Sequence, residues 1–240
     1  FSLSSLQKKA SSLYGFTVKK TLSIAQELYE KYKATSYPRT DSNYLPVSQF
    51  NEAPQILESL KQGSPNLSQL ISECDVTFKS PAWNDKKVSA HHGIIPTTKK
   101  VKVESMPADL AKIYNLICMV YIAQFLGNYK YKHSKLTVEC QDELFSATGK
   151  IPISLGWKKA LNKNLWGNES KGKDETVQDL PNWQQGQQLL ETAQKIASKK
   201  TKPLGHFSEG TLIGAMESIG RYVEEPKLKK ILKETSGIGT

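Results

Sequence analysis

The sequence predicts an α+β chain with helices and strands segregated along the polypeptide: a helical first half, a β-rich stretch, then helix again. Three observations predict it. Apolar residues recur at helical spacing up to Leu126. The stretch from Tyr129 to Ile153 alternates and is β-favouring, and helical signals return after Ser208.

The elements follow in order. Leu3 to Leu13 is a short helix candidate stopped near Gly15. Thr17 can cap the next helix, where Val18, Leu22, Ala25, Leu28 or Tyr29, and Tyr32 recur on one stripe. Thr35 to Pro46 holds two prolines and Asp-Ser-Asn, which is loop chemistry. Ser48 to Leu60 resumes a helical pattern, with Pro54 tolerable only in its first turns. Pro107 to Leu126 carries the strongest helical signal. Leu110, Ile113, Tyr114, Ile117, Val120 and Tyr121 line one side, and Gly127 sits where a C-terminal cap belongs. Composition then changes. Tyr129 to Cys140 and Leu144 to Ile153 read as strands, and the polar stretch Leu161 to Gln178 as an exposed loop. Gln187 to Ser198 has helical propensity but is assigned as strand from the resemblance given below. Helices are expected from Ser208 to Tyr222 and from Pro226 to about Glu234.

Composition narrows the class. Lys and Arg number 33 against 23 Asp and Glu, a formal charge of +10 that favours a polyanionic partner. The content of 38% hydrophobic residues is too high for a disordered chain. No run approaches the ~18 apolar residues of a membrane span, since Asn115 and Gln124 interrupt the longest. Phe1 is not a natural start and no signal peptide is visible, so the chain reads as an excised fragment. Cys74, Cys118 and Cys140 lie far apart with no CxxC pair, which fits a reducing cytoplasm and neither a disulfide framework nor structural zinc.

Two segments can carry chemistry. In Ser36-Tyr37-Pro38-Arg39-Thr40-Asp41-Ser42, the proline disfavours helix for Tyr37, so its hydroxyl should project from a bend. Arg39 offers a permanently charged planar fork suited to phosphate, and Asp41 can orient that fork or a nearby hydroxyl. A phenol with an ordinary pKa of about 10 is a weak nucleophile at neutral pH and needs a cation and a proton acceptor nearby. Ordinary roles are open too: loop tyrosines pack, and Arg–Asp pairs tie loops. The second segment is Ala90-His91-His92-Gly93-Ile94-Ile95-Pro96-Thr97. Adjacent histidines diverge on most backbones and make a poor metal pair, but one near neutrality can donate to a phosphate oxygen. The bland alternative is one histidine satisfied by a hydrogen bond and the other solvated.

Taken with Ala25-Gln26-Glu27-Leu28-Tyr29-Glu30, these segments resemble the signature series of the type IA DNA topoisomerases, in matching order and spacing. The Tyr-Pro-Arg and His-His-Gly-Ile-Ile-Pro-Thr forms are most similar to topoisomerase III. Phe207 to Met216 and Leu228 to Thr240 resemble that family's later DNA-facing segment, and the likeness is weaker between Tyr129 and Lys202. Ser36 stands where the family usually has threonine, and Gly93 where it usually has alanine.

The resemblance implies that Tyr37 is the nucleophile, joined to the 5′ end of a cleaved single strand, and that Arg39 holds the scissile phosphate. It implies that His91 contacts a neighbouring phosphate, that Gln26 and Tyr29 touch DNA near the break, and that Asp41 shapes the site. It further implies a helical gate domain over 1–128, a β-rich arch segment over 129–205 and the start of a helical DNA-binding domain over 206–240. The expected activity is ATP-independent relaxation or decatenation in the cytoplasm, at the nucleoid, with single-stranded DNA as partner and no membrane. Nothing in the chain identifies a helicase or single-strand-binding protein partner. The family also needs an acidic Mg²⁺-binding domain that nothing here resembles, so the fragment is expected to bind no metal and to be inactive alone. The rival reading is a non-catalytic single-stranded DNA-binding module with Tyr29, Tyr32 and Tyr44 as stacking platforms. A further alternative is an interaction fragment whose charge is incidental.

Overall fold

The computed structural model of the chain describes residues 1–161, 180–181, 183–190, 193, 197–203 and 205–234. Helix α1 (Leu3–Tyr14) starts at Ser2, whose hydroxyl accepts from the Ser5 amide. It stops at Gly15, where φ of 65° returns the amide to the Ala10 and Ser11 carbonyls. Helix α2 (Val18–Glu30) is capped by the Thr17 side chain, as its sequence predicts. Its buried face is Thr21, Ile24, Ala25 and Leu28, which corrects the expected stripe. Val18, Leu22, Tyr29 and Tyr32 are only half-buried.

The segment expected to be helical from Ser48 divides at Pro54. A 3-10 stretch, Val47–Glu52, leads into α3 (Ala53–Gly63), with the proline in the first turn where its missing N–H breaks no helical bond. Gly63 follows from packing: a Cβ there would lie 2.3 Å from the Val101 carbonyl oxygen. A short helix, α4 (Ser68–Ser72), precedes α5 (Ala108–Ala123). Of the expected face of α5 all but the half-buried Val120 are buried, and Leu116, Cys118, Met119 and Ile122 are buried as well, so the helix is covered nearly all round. It forms the centre of a core that takes residues from α1 to α5 and the loops between them. Asp109, at the start of α5, ties it to α2 through Lys20 at 2.6 Å.

The β-rich stretch is an antiparallel hairpin, β1 (Lys130–Cys140) and β2 (Glu143–Ser154). Gln141 and Asp142 turn it with φ of 50° and 64°, and Cys140 faces Glu143. Both turn residues thus hold the positive φ that a two-residue hairpin needs to match strand twist. Most of the hairpin is exposed. The loop expected over Leu161 to Gln178 lies outside the described residues apart from Leu161, and the described residues of Gln187 to Ser198 are neither helix nor strand.

Two helices close the described chain. Helix α6 (Glu209–Glu217) opens on a capping box between Ser208 and Thr211, and α7 (Pro226–Glu234) follows. α6 returns to pack on α1. Lys8 pairs with Glu217, Glu209 accepts from the Val18 amide at 2.6 Å, and Gly210 lies against Ser11 so closely that a Cβ would meet its side chain at 2.8 Å.

Candidate active site

Tyr37 is presented by the chain leaving α2. Lys33 takes φ of 52°, the Ala34 amide returns to the Leu28 carbonyl, and Thr35 bridges antiparallel to Pro96. This lays the tyrosine loop on the histidine loop. Ser36 fastens them: its amide donates to the Ile95 carbonyl at 2.9 Å, while its hydroxyl accepts from the Ile95 amide at 3.0 Å and donates to the Gly93 carbonyl at 3.2 Å. On the other side of Tyr37, the Thr40 hydroxyl donates to the His91 carbonyl at 3.3 Å and the Thr40 carbonyl accepts from the Leu3 amide. Both flanks of Tyr37 are therefore held by bonds to distant backbone.

Between these anchors burial alternates residue by residue. Pro38, Thr40 and Ser42 are buried; Tyr37, Arg39, Asp41 and Asn43 are exposed. The chain bends at Pro38, where the Thr40 amide returns to the Pro38 carbonyl at 3.0 Å, and the alternation leaves the three functional groups of the Tyr-x-Arg-x-Asp run exposed to solvent. The Tyr37 ring is 38% exposed. It meets Tyr29 edge-on at 5.5 Å between centroids and His91 at 4.8 Å. Tyr29 comes from the last turn of α2, three residues after Gln26, and both lie on the turn nearest the loop.

The guanidinium of Arg39 is met by Gln26. With the amide oxygen facing it, Gln26 Oε1 accepts from Nη2 at 3.0 Å and Nε at 3.2 Å. Asp41 instead accepts from the Ser89 hydroxyl at 2.7 Å, so of its two expected partners the hydroxyl is the one present. The histidines divide their roles. His92 Nδ1 lies 2.8 Å from the Gly93 carbonyl and Nε2 3.1 Å from Gln49 Nε2. A carbonyl only accepts and an amide nitrogen only donates, which assigns the proton to Nδ1 and the lone pair to Nε2. His92 is thus a structural imidazole held at both ring nitrogens, while His91 is exposed beside Tyr37.

Burial disfavours four of the other phenols and thiols as nucleophiles. Desolvation pushes the phenols of Tyr114 and Tyr121 well above the ordinary value. Burial, with the nearby charge of Glu73, pushes the Cys74 thiol up to about 12, and burial raises that of Cys118 as well. Among the described residues no group of three or more His, Cys, Asp or Glu is arranged to hold a metal ion, so these side chains do not fit Mg²⁺.

All six residues singled out from the sequence reach this surface: Tyr37, Tyr29 and His91 in ring contact, Arg39 and Gln26 in a bidentate pair, and Asp41 on the same exposed run. Ser36, Thr40, Ser89 and His92 build the site and were not among them. Ser36 and Thr40 gave only the signal of small hydroxyl residues beside the tyrosine, which many loops share, whereas His92 takes the hydrogen-bonded place that the sequence left open for one histidine of the pair. A Cβ on Gly93 would meet the Ser42 and Asn43 backbone at 3.4 Å, ordinary contact, so glycine or alanine fits there.

Residues 1–240 match the family model described as DNA topoisomerase. DNA topoisomerase 3 of Vibrio cholerae is 37% identical over 240 residues, covering 100% of this chain and 36% of the relative. DNA topoisomerase 3 of Bacillus subtilis is 35% identical over 244 residues, covering 100% of this chain and 33% of the relative. Among solved structures, full-length topoisomerase I from Thermotoga maritima superposes with a TM-score of 0.61 at 24% identity, covering 98% of this chain and 36% of that one. The chain spans about a third of the length of the curated relatives it matches.

Proposed function

This chain belongs to the DNA topoisomerase family, and on that premise we propose that it supplies the nucleophile of a type IA enzyme, with Tyr37 attacking a backbone phosphate of single-stranded DNA. The Tyr37 oxygen forms a bond to phosphorus and loses its proton, the bond from phosphorus to the 3′ oxygen breaks, and that oxygen takes up a proton. The strand's 5′ end is left on the tyrosine. One phosphodiester replaces another, so religation is the reverse reaction and needs no ATP.

In this reading Arg39 binds the scissile phosphate and offsets the charge that gathers on it, and Gln26 holds the guanidinium in plane. His91 and Tyr29 flank the ring and contact the neighbouring nucleotides, and Asp41 shapes the loop through Ser89. Catalysis then rests on positioning and on fixed cationic donors. The gate (1–128), arch (129–205) and DNA-binding (206–240) assignments belong to the same proposal. So does strand passage, which is proposed for the protein that contains this chain, the 240 residues alone being inactive in relaxation.

The observation that carries the reading is an exposed tyrosine, anchored on both flanks, sharing one surface with a guanidinium already held in a fork. The test is a labelled single-stranded oligonucleotide mixed with the protein as encoded in its full reading frame, then denatured. A covalent adduct is expected, and Tyr37→Phe should abolish it. An adduct that survives in Tyr37→Phe removes Tyr37 from this role. Salt-sensitive binding with no adduct from the unaltered protein would instead favour the non-catalytic binding module.

A further inference from the structure

We propose that the root of the hairpin is a second binding surface for single-stranded nucleic acid, separate from the Tyr37 surface, in which Tyr129, Tyr131 and Trp157 stack bases and the lysines around them take the phosphates. The inference shares with the proposed function only the class of ligand.

The three rings are brought together by backbone packing. Gly156, at φ of 46°, lies so close to the start of β1 that a Cβ would sit 2.3 Å from the Asn128 carbonyl oxygen, and the Trp157 amide donates to the Gly127 carbonyl at 3.0 Å. No residue with a side chain fits at 156 without displacing that backbone. The outcome is a cluster with Tyr129 and Tyr131 at 5.2 Å between centroids and Tyr129 and Trp157 at 6.5 Å. Tyr131 is 44% and Trp157 40% exposed, which is costly for large rings that serve only packing.

Cations accompany them. Lys158 Nζ lies 3.9 Å from the Tyr129 centroid and Lys150 Nζ 4.0 Å from that of Tyr131. Charge along the hairpin is segregated. Lys130, Lys132, Lys150 and Lys158 sit towards the root, where Lys159 is paired with Glu73, while Glu139, Asp142 and Glu143 cluster at the turn. A polyanion is thus attracted to the root and repelled from the tip. Magnitudes favour a base over the resting ammonium. A cation over an exposed ring is worth roughly two- to five-fold in an equilibrium constant, and a stacked base roughly five- to 150-fold. The base displaces the ammonium from the ring face, and the ammonium, on a flexible stem beside it, meets the phosphate of the same nucleotide. Double-stranded DNA, with its bases already stacked, offers the rings nothing.

The test is fluorescence anisotropy of labelled oligothymidylate with the protein as encoded in its full reading frame, circular dichroism confirming that each variant is folded. Replacing Tyr131→Ala and Trp157→Ala together should weaken binding at least about five-fold, and Tyr131→Phe with Trp157→Phe should restore most of it. Replacing Lys150→Ala and Lys158→Ala should lower the slope of log affinity on log salt by about 0.7 for each phosphate that the protein no longer neutralises. The unaltered protein gives a second readout, because a stacked base quenches indole emission: part of the quenching by oligothymidylate should vanish in Trp157→Phe. Unchanged affinity in the double alanine variant overturns the proposal. So does an equal weakening towards inorganic polyphosphate, which has no bases, or quenching undiminished in Trp157→Phe. None of these readouts depends on adduct formation, so failure here and failure of Tyr37 as nucleophile are scored apart.

Discussion

Arg39 and Gln26 are the pair on which the chemistry at Tyr37 most depends. The guanidinium keeps its charge in any setting, but its usefulness depends on direction, and Gln26 fixes that direction with two hydrogen bonds. Arg39→Ala should slow single-turnover cleavage roughly a hundred- to a thousand-fold, the usual effect of removing one fixed donor to a transition state. Gln26→Ala should slow it less. The two effects should be non-additive in a double-mutant cycle, because they remove parts of one interaction. Ser36 works through the backbone. Ser36→Ala strands the Ile95 amide, while the Gly93 carbonyl keeps its bond from His92 Nδ1, and should cost about 1–3 kcal/mol in urea unfolding, with cleavage falling in step as the two loops part. Ser36→Thr keeps the hydroxyl and should restore both, an outcome a purely spatial role for residue 36 would not give.

At the scale of elements, α2 and the hairpin show two ways in which local sequence meets its surroundings. The cap at Thr17, the stop at Gly15 and the helix start at Ser208 are short-range events and were legible, because the groups that satisfy one another lie within five residues; the capping box itself appears only in the structure. The buried face of α2 was not, since Val18 and Leu22 are as apolar as Ile24 and only packing on α5 decides which are covered. The hairpin turn holds positive φ at two residues that have side chains. Asp142→Gly relieves one of them and should stabilise the hairpin by roughly 1 kcal/mol, seen as slower amide exchange along β1 and β2.

For the whole molecule, the informative contact is between ends of the described chain. α6 meets α1 and the N-terminus of α2 through charges and a glycine, not through a large apolar face. Partial burial draws the Glu217 pKa upward, but hydrogen bonds from Lys8 and Ser4 and the charge of Lys8 outweigh it and leave it below the ordinary value. A carboxyl lowered in the folded state stabilises above its unfolded pKa of about 4.3 and loses that effect as pH falls through the folded value. Glu217→Gln should therefore lower the melting temperature slightly at neutral pH, by the equivalent of about 0.2–1 kcal/mol, and not at all in strong acid. A difference that persists unchanged to low pH would show that the charge on Glu217 is not what matters.

By itself, the sequence determined the long helices of the first half, the hairpin strands, the Thr17 cap, the basic charge and the Tyr-x-Arg-x-Asp run, because each depends on neighbours a few residues apart or on composition. It also carried the family, through motifs whose spacing is specific. Only the tertiary structure decided that Gln26 rather than Asp41 grips Arg39, that His92 is the structural histidine and His91 the exposed one, and that Ser36 and Thr40 clamp both flanks of Tyr37. The partners of Arg39, Thr40 and Ser36 lie 13 to 59 residues away along the chain. A hydroxyl or an amide side chain has no preference among distant partners until the packing of α2, α5 and the loops brings one within about 3 Å, which is the range over which a hydrogen bond acts.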